Sequence, residues 1–316
     1  MLYWTRWLMA TATVALVAAC GGSDDDPTPA AAPKNIVQTA QADARFSLLV
    51  EAVVAADLAD TLSQPGPFTV FAPTNDAFTA LLAELGVTKD ALFTNKPLLT
   101  AVLTYHVLDG RVLKAQVPAG KAITTKQGGI FKIDAAGSAL VVTDGRNRQA
   151  NITATDLAAS NGVIHVVDKV LLPADKTIVQ TAQALPDFSI LVEAVEAAGL
   201  ADALSAPGPL TVFAPTNAAF ADLLVALGVS KADLLADTAL LTKVLTYHVV
   251  NGRVLKADVE VGTPVTTLQG ETFTVGATLA ITDARGGVSN ITATDVLASN
   301  GVIHVIDNVL LPPAAD

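Results

Sequence analysis

The chain contains the same domain-length pattern twice. Thr69–Asn75 (TVFAPTN) recurs as Thr211–Asn217, and Val102–Val107 (VLTYHV) recurs as Val244–Val249, in both cases 142 residues later. A period of this length exceeds the ~20–50 residues of solenoid repeats and matches the size of one globular domain. The sequence therefore predicts two tandem copies of one domain.

The distance between the two copies shortens towards their C-terminal ends. Asn151–Asp156 (NITATD) recurs as Asn290–Asp295, which is 139 residues later. The second copy must therefore lack three residues relative to the first, between Ile133 and Leu140, and a hairpin is the simplest place for such a deletion. The predicted boundaries are residues 34–174 for the first domain, 175–313 for the second and 314–316 for a tail.

The N-terminal residues have the composition of an export signal. Residues 1–19 carry one charge, on Arg6, and their apolar run is shorter than the ~20 residues of a membrane-spanning helix. The run leads into Val17–Gly21 (VAACG), which resembles a bacterial lipobox and contains Cys20, the only cysteine of the chain. We therefore predict a signal peptide over residues 1–19 and lipidation of Cys20. An ordinary signal peptide and an uncleaved anchor are the alternatives.

The segment after the cysteine predicts where the chain resides. Residues 20–33 are rich in Asp, Pro and Ala and cannot bury a core, so we expect a flexible tether. Gly21 stands where the inner-membrane retention signal of Gram-negative lipoproteins has Asp. The expected location is the cell envelope, with the lipid anchor holding the chain on the outer membrane, facing the periplasm or the exterior.

The acidic charge balance argues against one class of partner. The net charge is −11, and removal of residues 1–19, whose only charge is that of Arg6, changes it to −12. An acidic protein repels phosphate backbones, so nucleic acid is not expected as a partner.

Hydrophobic periodicity predicts helices early in each repeat. Phe46–Leu62 carries apolar residues at the spacing of one helix, which Pro65–Pro67 (PGP) would stop, and a later helical stretch places His106 on its apolar face. The corresponding segments of the second repeat carry the same spacing, with His248 in the place of His106.

A strand and a capped helix are predicted between these stretches. Phe68–Phe71 alternates as a strand does. Thr74 and Asn75 offer side-chain oxygens to cap a helix over Asp76–Leu85, and Gly86 is suited to end it.

The second half of each repeat consists of short β-branched segments separated by Gly and Asp. In the first repeat the predicted segments are Gly110–Val117, Ala122–Thr125, Ile130–Ile133, Leu140–Thr143, Asn151–Thr153 and Val163–Leu172. Helices followed by strands indicate an α+β fold.

Three segments of the first repeat resemble the marker segments of fasciclin-like domains. They are TVFAPTN with the following Phe78, the pair Tyr105–His106, and Asn161–Asp168 with Leu171–Pro173. The second repeat carries the same three in the same order. The resemblance implies two tandem fasciclin-like domains, each a β-wedge or sandwich of about seven strands packed with helices from its N-terminal half.

The resemblance also implies candidate binding residues. In animal matrix proteins of this family, an Asp-Ile pair before the last marker is linked to integrin binding, as is the Tyr-His region. The aligned residues are Asp156, Leu157, Asp295 and Val296, together with Tyr105, His106, Tyr247 and His248. The acid is kept but the aliphatic partner differs, so integrin specificity does not carry over. A turn or capping role for both aspartates is the alternative.

The four histidines of the chain all lie in the repeated markers. His106 and His248 fall on apolar helix faces, whereas His165 and His304 are enclosed by Val and Ile. Buried imidazoles that bond to backbone groups are the preferred interpretation over ligand or proton chemistry. Neither pair has zinc-site spacing, so no metal and no cofactor are expected.

The residues favour a binding protein over an enzyme. The chain lacks a G-x-S-x-G elbow and a glycine-rich phosphate loop, and lipidation would consume its one cysteine. We expect adhesion or matrix binding, with a matrix or surface protein or a glycan as partner and the membrane contacted through the lipid anchor. The alternative is a carrier of a small apolar ligand in the periplasm or at the cell surface.

Overall fold

A computed structural model describes residues 32–314 of the chain. The predictions for residues 1–19 and for Cys20, and nearly all of the predicted tether, concern residues outside this range. Residues from Lys34 onwards form one compact unit that contains both repeats. No helix within residues 32–314 is long and apolar enough to cross a membrane.

The helices of the first repeat precede most of its strands. They are α1 Ile36–Gln41, α2 Ser47–Ala55, α3 Ala59–Ser63, α4 Asn75–Leu85, α5 Lys89–Thr94 and α6 Lys96–Tyr105. The cap of α4 is as predicted: the Thr74 hydroxyl accepts a hydrogen bond from Ala77 N at 3.3 Å, and Gly86 ends the helix with φ 64°. Asn75 lies inside the helix instead, and its amide oxygen accepts from Leu48 N.

The predicted single helix over Phe46–Leu62 is wrong. A 3-10 turn over Ala44–Phe46 precedes α2, which ends at Ala55, and α3 starts afresh at Ala59. Asp57 has φ 57°, a left-handed conformation that a continuous helix excludes. The apolar period continues through the break because both helices pack on the same core.

Seven strands form the sheet of the first repeat. They are β1 Phe68–Pro73, β2 Val107–Asp109, β3 Ala122–Thr124, β4 Ile130–Ala136, β5 Ala139–Thr143, β6 Gln149–Ala159 and β7 Gly162–Val167, in the order β2-β1-β7-β6-β5-β4-β3. β1 runs parallel to β7, and the other neighbours are antiparallel. This confirms the α+β prediction with seven strands.

Two predicted strand segments differ from the observed ones. Gly110–Val117 is not a strand, because it turns through a 3-10 helix at Lys114–Gln116. Val163–Leu172 is a strand only to Val167. The short β2 escaped prediction because three residues carry no measurable alternation.

The second repeat reproduces the first. Its helices are α7 Ile178–Gln183, α8 Ser189–Ala197, α9 Ala201–Ser205, α10 Asn217–Leu227, α11 Lys231–Ala236 and α12 Thr238–Tyr247. Its strands are β8 Leu210–Pro215, β9 Val249–Asn251, β10 Pro264–Thr266, β11 Thr272–Val275, β12 Ala280–Thr282, β13 Val288–Ala298 and β14 Gly301–Ile306. The deletion falls in the β11–β12 hairpin, as predicted, since its strands are shorter than the matching β4 and β5.

Each domain has a core on either side of its sheet. In β1, Val70 packs with the helices, and the adjacent Phe71 packs on the other side with residues of β3, β4 and β5. Phe71 contacts Phe131 edge to face with ring centroids 5.0 Å apart. Because both faces of the strand are covered, every one of its residues is buried.

An asparagine of the last marker ties the helices to the sheet. The Asn161 amide oxygen accepts a hydrogen bond from Ile36 N at 2.9 Å, and its amide nitrogen donates to the carbonyls of Leu62 and Gln64. Asn300 makes the equivalent bonds in the second domain. Three backbone groups that would otherwise be unpaired are thereby satisfied.

Candidate binding site

The predicted aspartates occupy a bulge in the long strand of each sheet. Pairing of β6 with β7 is irregular between Ala154 and Leu157, and Asp156 has φ 61° within this break. Aspartate tolerates this left-handed conformation better than most residues. Asp295 has the same φ in β13.

The Asp156 side chain is held by backbone groups. One carboxylate oxygen, Oδ1, accepts a hydrogen bond from Lys114 N at 2.9 Å, at the start of the 3-10 turn. Its own N–H donates to His165 Nδ1 at 3.3 Å. Asp295 makes the same two contacts with Lys256 N and His304. The bulge therefore presents the carboxylate in a fixed position.

The histidines of the last marker support this bulge. His165 Nδ1 accepts from Asp156, so the proton lies on Nε2, which donates to the Val112 carbonyl at 2.9 Å. His304 makes the corresponding bond to the Val254 carbonyl. Both imidazoles are buried and join β7 or β14 to the loop that follows β2 or β9. Burial lowers the pKa of His304.

The histidines of the Tyr-His pairs have the opposite tautomer. His106 Nδ1 donates to the Val102 carbonyl at 2.7 Å, and Nε2 accepts from Leu171 N at 2.9 Å. His248 bonds in the same way to Val244 and Leu310. Burial lowers the pKa of both imidazoles to about 4. They are neutral bridges between a helix and the segment that follows the last strand of each domain, and their burial agrees with the interpretation from the sequence.

The neighbouring tyrosines are equally enclosed. The Tyr105 hydroxyl donates to the Ile130 carbonyl, and the Tyr247 hydroxyl donates to the Thr272 carbonyl at 2.7 Å. Burial raises the pKa of both phenols. Neither Tyr-His pair can reach a second protein without unfolding its domain, because all four side chains are buried.

The second domain's aspartate is covered by the first domain. Asp295 Oδ2 lies 2.9 Å from Lys132 Nζ on β4, and the two side chains are only 3% and 13% exposed. Asn147 adds a pair of bonds: its amide nitrogen donates to the Leu297 carbonyl, and its amide oxygen accepts from Leu297 N at 2.6 Å. These contacts run between the two domains.

An apolar cluster completes the contact between the domains. Ile130 of the first domain packs with three buried residues of the second, Leu255, Leu297 and Val302. Asp295, Leu297 and Val302 are thus buried at this interface. Val296 lines a groove of about 560 Å³ at the same junction.

The equivalent surface of the first domain is open. Asp156 is exposed, Leu157 is half-buried and Leu113 is 38% exposed, whereas its counterpart Leu255 is fully buried. Within residues 32–314 no group bonds to Asp156 Oδ2, the atom equivalent to the one that contacts Lys132 in the second domain. Among the predicted binding residues, Asp156 is therefore the only one with an exposed carboxylate, and Leu157 lies half-buried beside it.

Sequence reasoning did not identify the residues that close the second site. Lys132 aligns with Thr274, and Asn147 aligns with Gly286. Both interface residues therefore occupy positions at which the two copies differ. Comparison of those differences, rather than of the shared motifs, is the signal that would have pointed to them.

The described residues offer no preformed metal centre. Within residues 32–314, no group of three or more His, Cys, Asp or Glu side chains is arranged to hold a metal ion.

The sequence matches known proteins. The family model described as Fasciclin domain matches residues 44–173 and 186–312. The chain is 34% identical over 255 residues to transforming growth factor-beta-induced protein ig-h3 of Sus scrofa, covering 79% of this chain and 35% of that protein. It is 47% identical over 143 residues to protein sll1483 of Synechocystis, covering 44% of this chain and 73% of that protein.

A solved structure also matches over most of the chain. The FAS1 domain pair from the insect cell adhesion molecule fasciclin I is 20% identical, with a TM-score of 0.42, covering 85% of this chain and 97% of that one. This chain spans about a third of the length of the ig-h3 relative. Since the family model covers both repeats and most of the sequence, the chain belongs to the fasciclin domain family and carries two copies of that domain.

Proposed function

We propose that this protein is a non-enzymatic cell-envelope lipoprotein that acts in adhesion. Its first domain binds a matrix or surface protein, or a glycan, through the exposed bulge at Asp156 and Leu157. The observation that supports this proposal is the contrast between the two copies: the same bulge is sealed at Asp295 and open at Asp156. Family membership supports the class of function.

The exposed bulge at Asp156 is preorganised for binding. Asp156 is fixed by its bonds to Lys114 N and His165, so little conformational entropy is lost when a partner binds. Its unbonded oxygen can accept a charge-assisted hydrogen bond from a basic or hydroxyl donor. Leu157 and the exposed part of Leu113 provide apolar surface beside it.

Because the Asp295 bulge of the second domain is covered, each chain has fewer bulges with which to contact a partner. Asp295 already accepts from Lys132, so each chain offers one such bulge and not two. Stronger binding through two bulges of the same chain is therefore excluded in this arrangement. Any avidity must come from several anchored chains side by side.

The adhesion proposal is tested by a matched pair of substitutions. Asp156→Asn keeps the oxygen that accepts from Lys114 N but removes the charge, so adhesion of displaying cells to matrix or glycan surfaces should fall while the melting temperature changes little. Asp295→Asn should leave adhesion intact and lower the melting temperature, because it weakens the buried pair with Lys132. Unchanged adhesion of the Asp156→Asn cells would contradict the proposal.

Lipid anchoring is a separate part of the proposal. The small-residue run before Cys20 and the acidic, proline-rich segment after it support lipidation of this cysteine. Cys20→Ser should release the protein from the membrane fraction, as measured by fractionation and immunoblotting, with Cys20→Ala as a second variant. Retention of both variants in the membrane fraction at the wild-type level would exclude the lipoprotein interpretation.

The structure does not favour the carrier alternative. The apolar cavities under the helices of the two domains each have a volume of about 30 Å³. Sites for small apolar ligands are roughly ten times larger. The larger cavities where the domains meet, of about 560 and 380 Å³, are lined in part by charged and polar side chains. We therefore do not propose an apolar carrier function.

A further inference from the structure

Two equivalent arginines have different environments. Arg111 in the first domain donates from Nη2 to the Ala159 and Gly162 carbonyls, at 3.1 and 2.8 Å. Arg253 occupies the same position in the second domain. Within residues 32–314 its guanidinium has no hydrogen bond and no ion pair, and its Nε atom is buried without a partner.

Arg253 lines a cavity where the two domains meet. The cavity has a volume of about 380 Å³, which lies within the range of small-molecule sites, ~300–1,000 Å³. The first domain contributes Gln127, Ile130 and Pro173 to its lining, and the second domain contributes Leu297 and Ser299 beside Arg253.

None of the residues from 32 to 314 that line the cavity carries a charge that could neutralise Arg253. Of the described residues that line it, Arg253 is the only ionisable one. Burial lowers the pKa of Arg253, and no acidic group in the described part of the chain opposes that effect. A partly buried cation without a partner is unfavourable, so a site of this kind gains free energy when an anion enters.

We propose that this interdomain cavity binds a small organic carboxylate. The planar guanidinium of Arg253 matches the geometry of a carboxylate and can donate two parallel hydrogen bonds to it. Ile130, Leu297 and Pro173 offer apolar contacts to a short hydrocarbon body, and Gln127 and Ser299 offer polar ones. A single positive charge suits a monoanion better than a phosphate, whose second charge would remain unmatched.

Calorimetric titration of the purified full chain tests this proposal. The probes are acetate, butyrate and benzoate, with butyramide and benzamide as neutral analogues of the same shape. At least one carboxylate should bind saturably at one site per chain, whereas the amides should not. Arg253→Gln should weaken that binding at least about tenfold, because it removes a charge-assisted bidentate contact.

Arg111→Gln is the matched control, since it removes the same residue type from the equivalent position. It should retain carboxylate binding. Arg45→Gln, on the surface and ion-paired with Asp43, is a second control if Arg111→Gln fails to fold. Without ligand, Arg253→Gln should not lower the melting temperature, because the arginine has no internal partner to lose.

Three results would overturn the proposal. They are the absence of saturable binding with all three carboxylates, equal binding of an amide and its carboxylate, and undiminished binding to Arg253→Gln.

Discussion

At the residue scale, the buried imidazoles show what a sequence motif does and does not predict. The apolar spacing around His106 predicted its burial. Its partner, Leu171 N, lies 65 residues away, and only the folded chain identifies it. The same limit applies to Asp156, where the sequence suggested a turn or a ligand contact and the structure shows a bulge with one bonded and one open oxygen.

The neutral histidines predict a dependence of stability on pH. The pKa of His106 and of His248 is lowered to about 4 in the folded domain, from about 6.5 when unfolded. The unfolded chain therefore binds more protons between these values, and the free energy of unfolding falls as the pH decreases through that window. Within that window each imidazole should cost at most roughly 1.4 kcal/mol per pH unit.

Urea unfolding at pH 7, 6 and 5 measures this effect. Wild type should lose stability progressively, whereas His106→Gln combined with His248→Gln should start less stable and vary less over the same range. Removal of a buried hydrogen-bonded partner costs about 1–3 kcal/mol at pH 7. Equal stability of the wild type at pH 7 and pH 5 would show that folding does not lower the pKa of these imidazoles.

At the scale of the elements, local signals predicted well and contacts across domains did not. Thr74, Gly86 and the shortened hairpin act within a few residues, so the sequence alone indicated the start and end of α4 and the place of the deletion. The break at Asp57 and the contacts of β4 depend on packing between distant segments. Only the folded chain shows those features.

Lys132 on β4 should be essential to the domain interface. It pairs with buried Asp295 at 2.9 Å and with Asp134 at 3.1 Å. Lys132→Thr introduces the residue that the second repeat has at this place and leaves the Asp295 carboxylate buried without its cation. We expect a loss of about 3–5 kcal/mol, the usual cost of breaking a buried pair.

Lys121→Thr is the control for this substitution. Lys121 also reaches across the interface, to Asp258, but at 3.6 Å and with 57% of its side chain exposed. An exposed pair contributes only ~0–1 kcal/mol. Unfolding curves should show a much larger loss of stability for Lys132→Thr than for Lys121→Thr. Asp295→Asn and the double variant Lys132→Thr/Asp295→Asn complete a cycle that should show strong coupling between these two residues. If Lys132→Thr and Lys121→Thr lose similarly small amounts of stability, the Lys132–Asp295 pair is accessible to water.

At the scale of the whole molecule, the two domains are equivalent in fold and unlike in surface. The interface joins one face of the first domain to a different face of the second, so each domain retains one unused face. Head-to-tail contacts of this kind generate open filaments if the free faces match. Here they do not match: Ala158 stands in place of Leu297, and Thr272, Thr274 and Gly286 stand in place of Ile130, Lys132 and Asn147.

This divergence predicts that restoring the missing residues will polymerise the chain. Thr272→Ile, Thr274→Lys and Gly286→Asn rebuild the β4 face on the second domain, and Ala158→Leu rebuilds its target on the first, where Asp156 is already exposed. Gly286 has φ 79° and open space around a would-be side chain, and asparagine tolerates that conformation. Sedimentation analysis of the fourfold variant should show concentration-dependent oligomers.

Variants that carry only one side of the contact distinguish this mechanism from nonspecific association. Ala158→Leu alone, and the three second-domain substitutions alone, each supply one side of the contact and should remain monomeric like the wild type. A mixture of the Ala158→Leu variant with the triple variant should yield discrete dimers. Each chain then carries one rebuilt face, so association stops after a single contact. Addition of Asp156→Asn should weaken the oligomers of the fourfold variant, since it removes the charge that the lysine introduced by Thr274→Lys would contact. Oligomers of equal strength with and without the Asp156 charge would show that they form through some other surface.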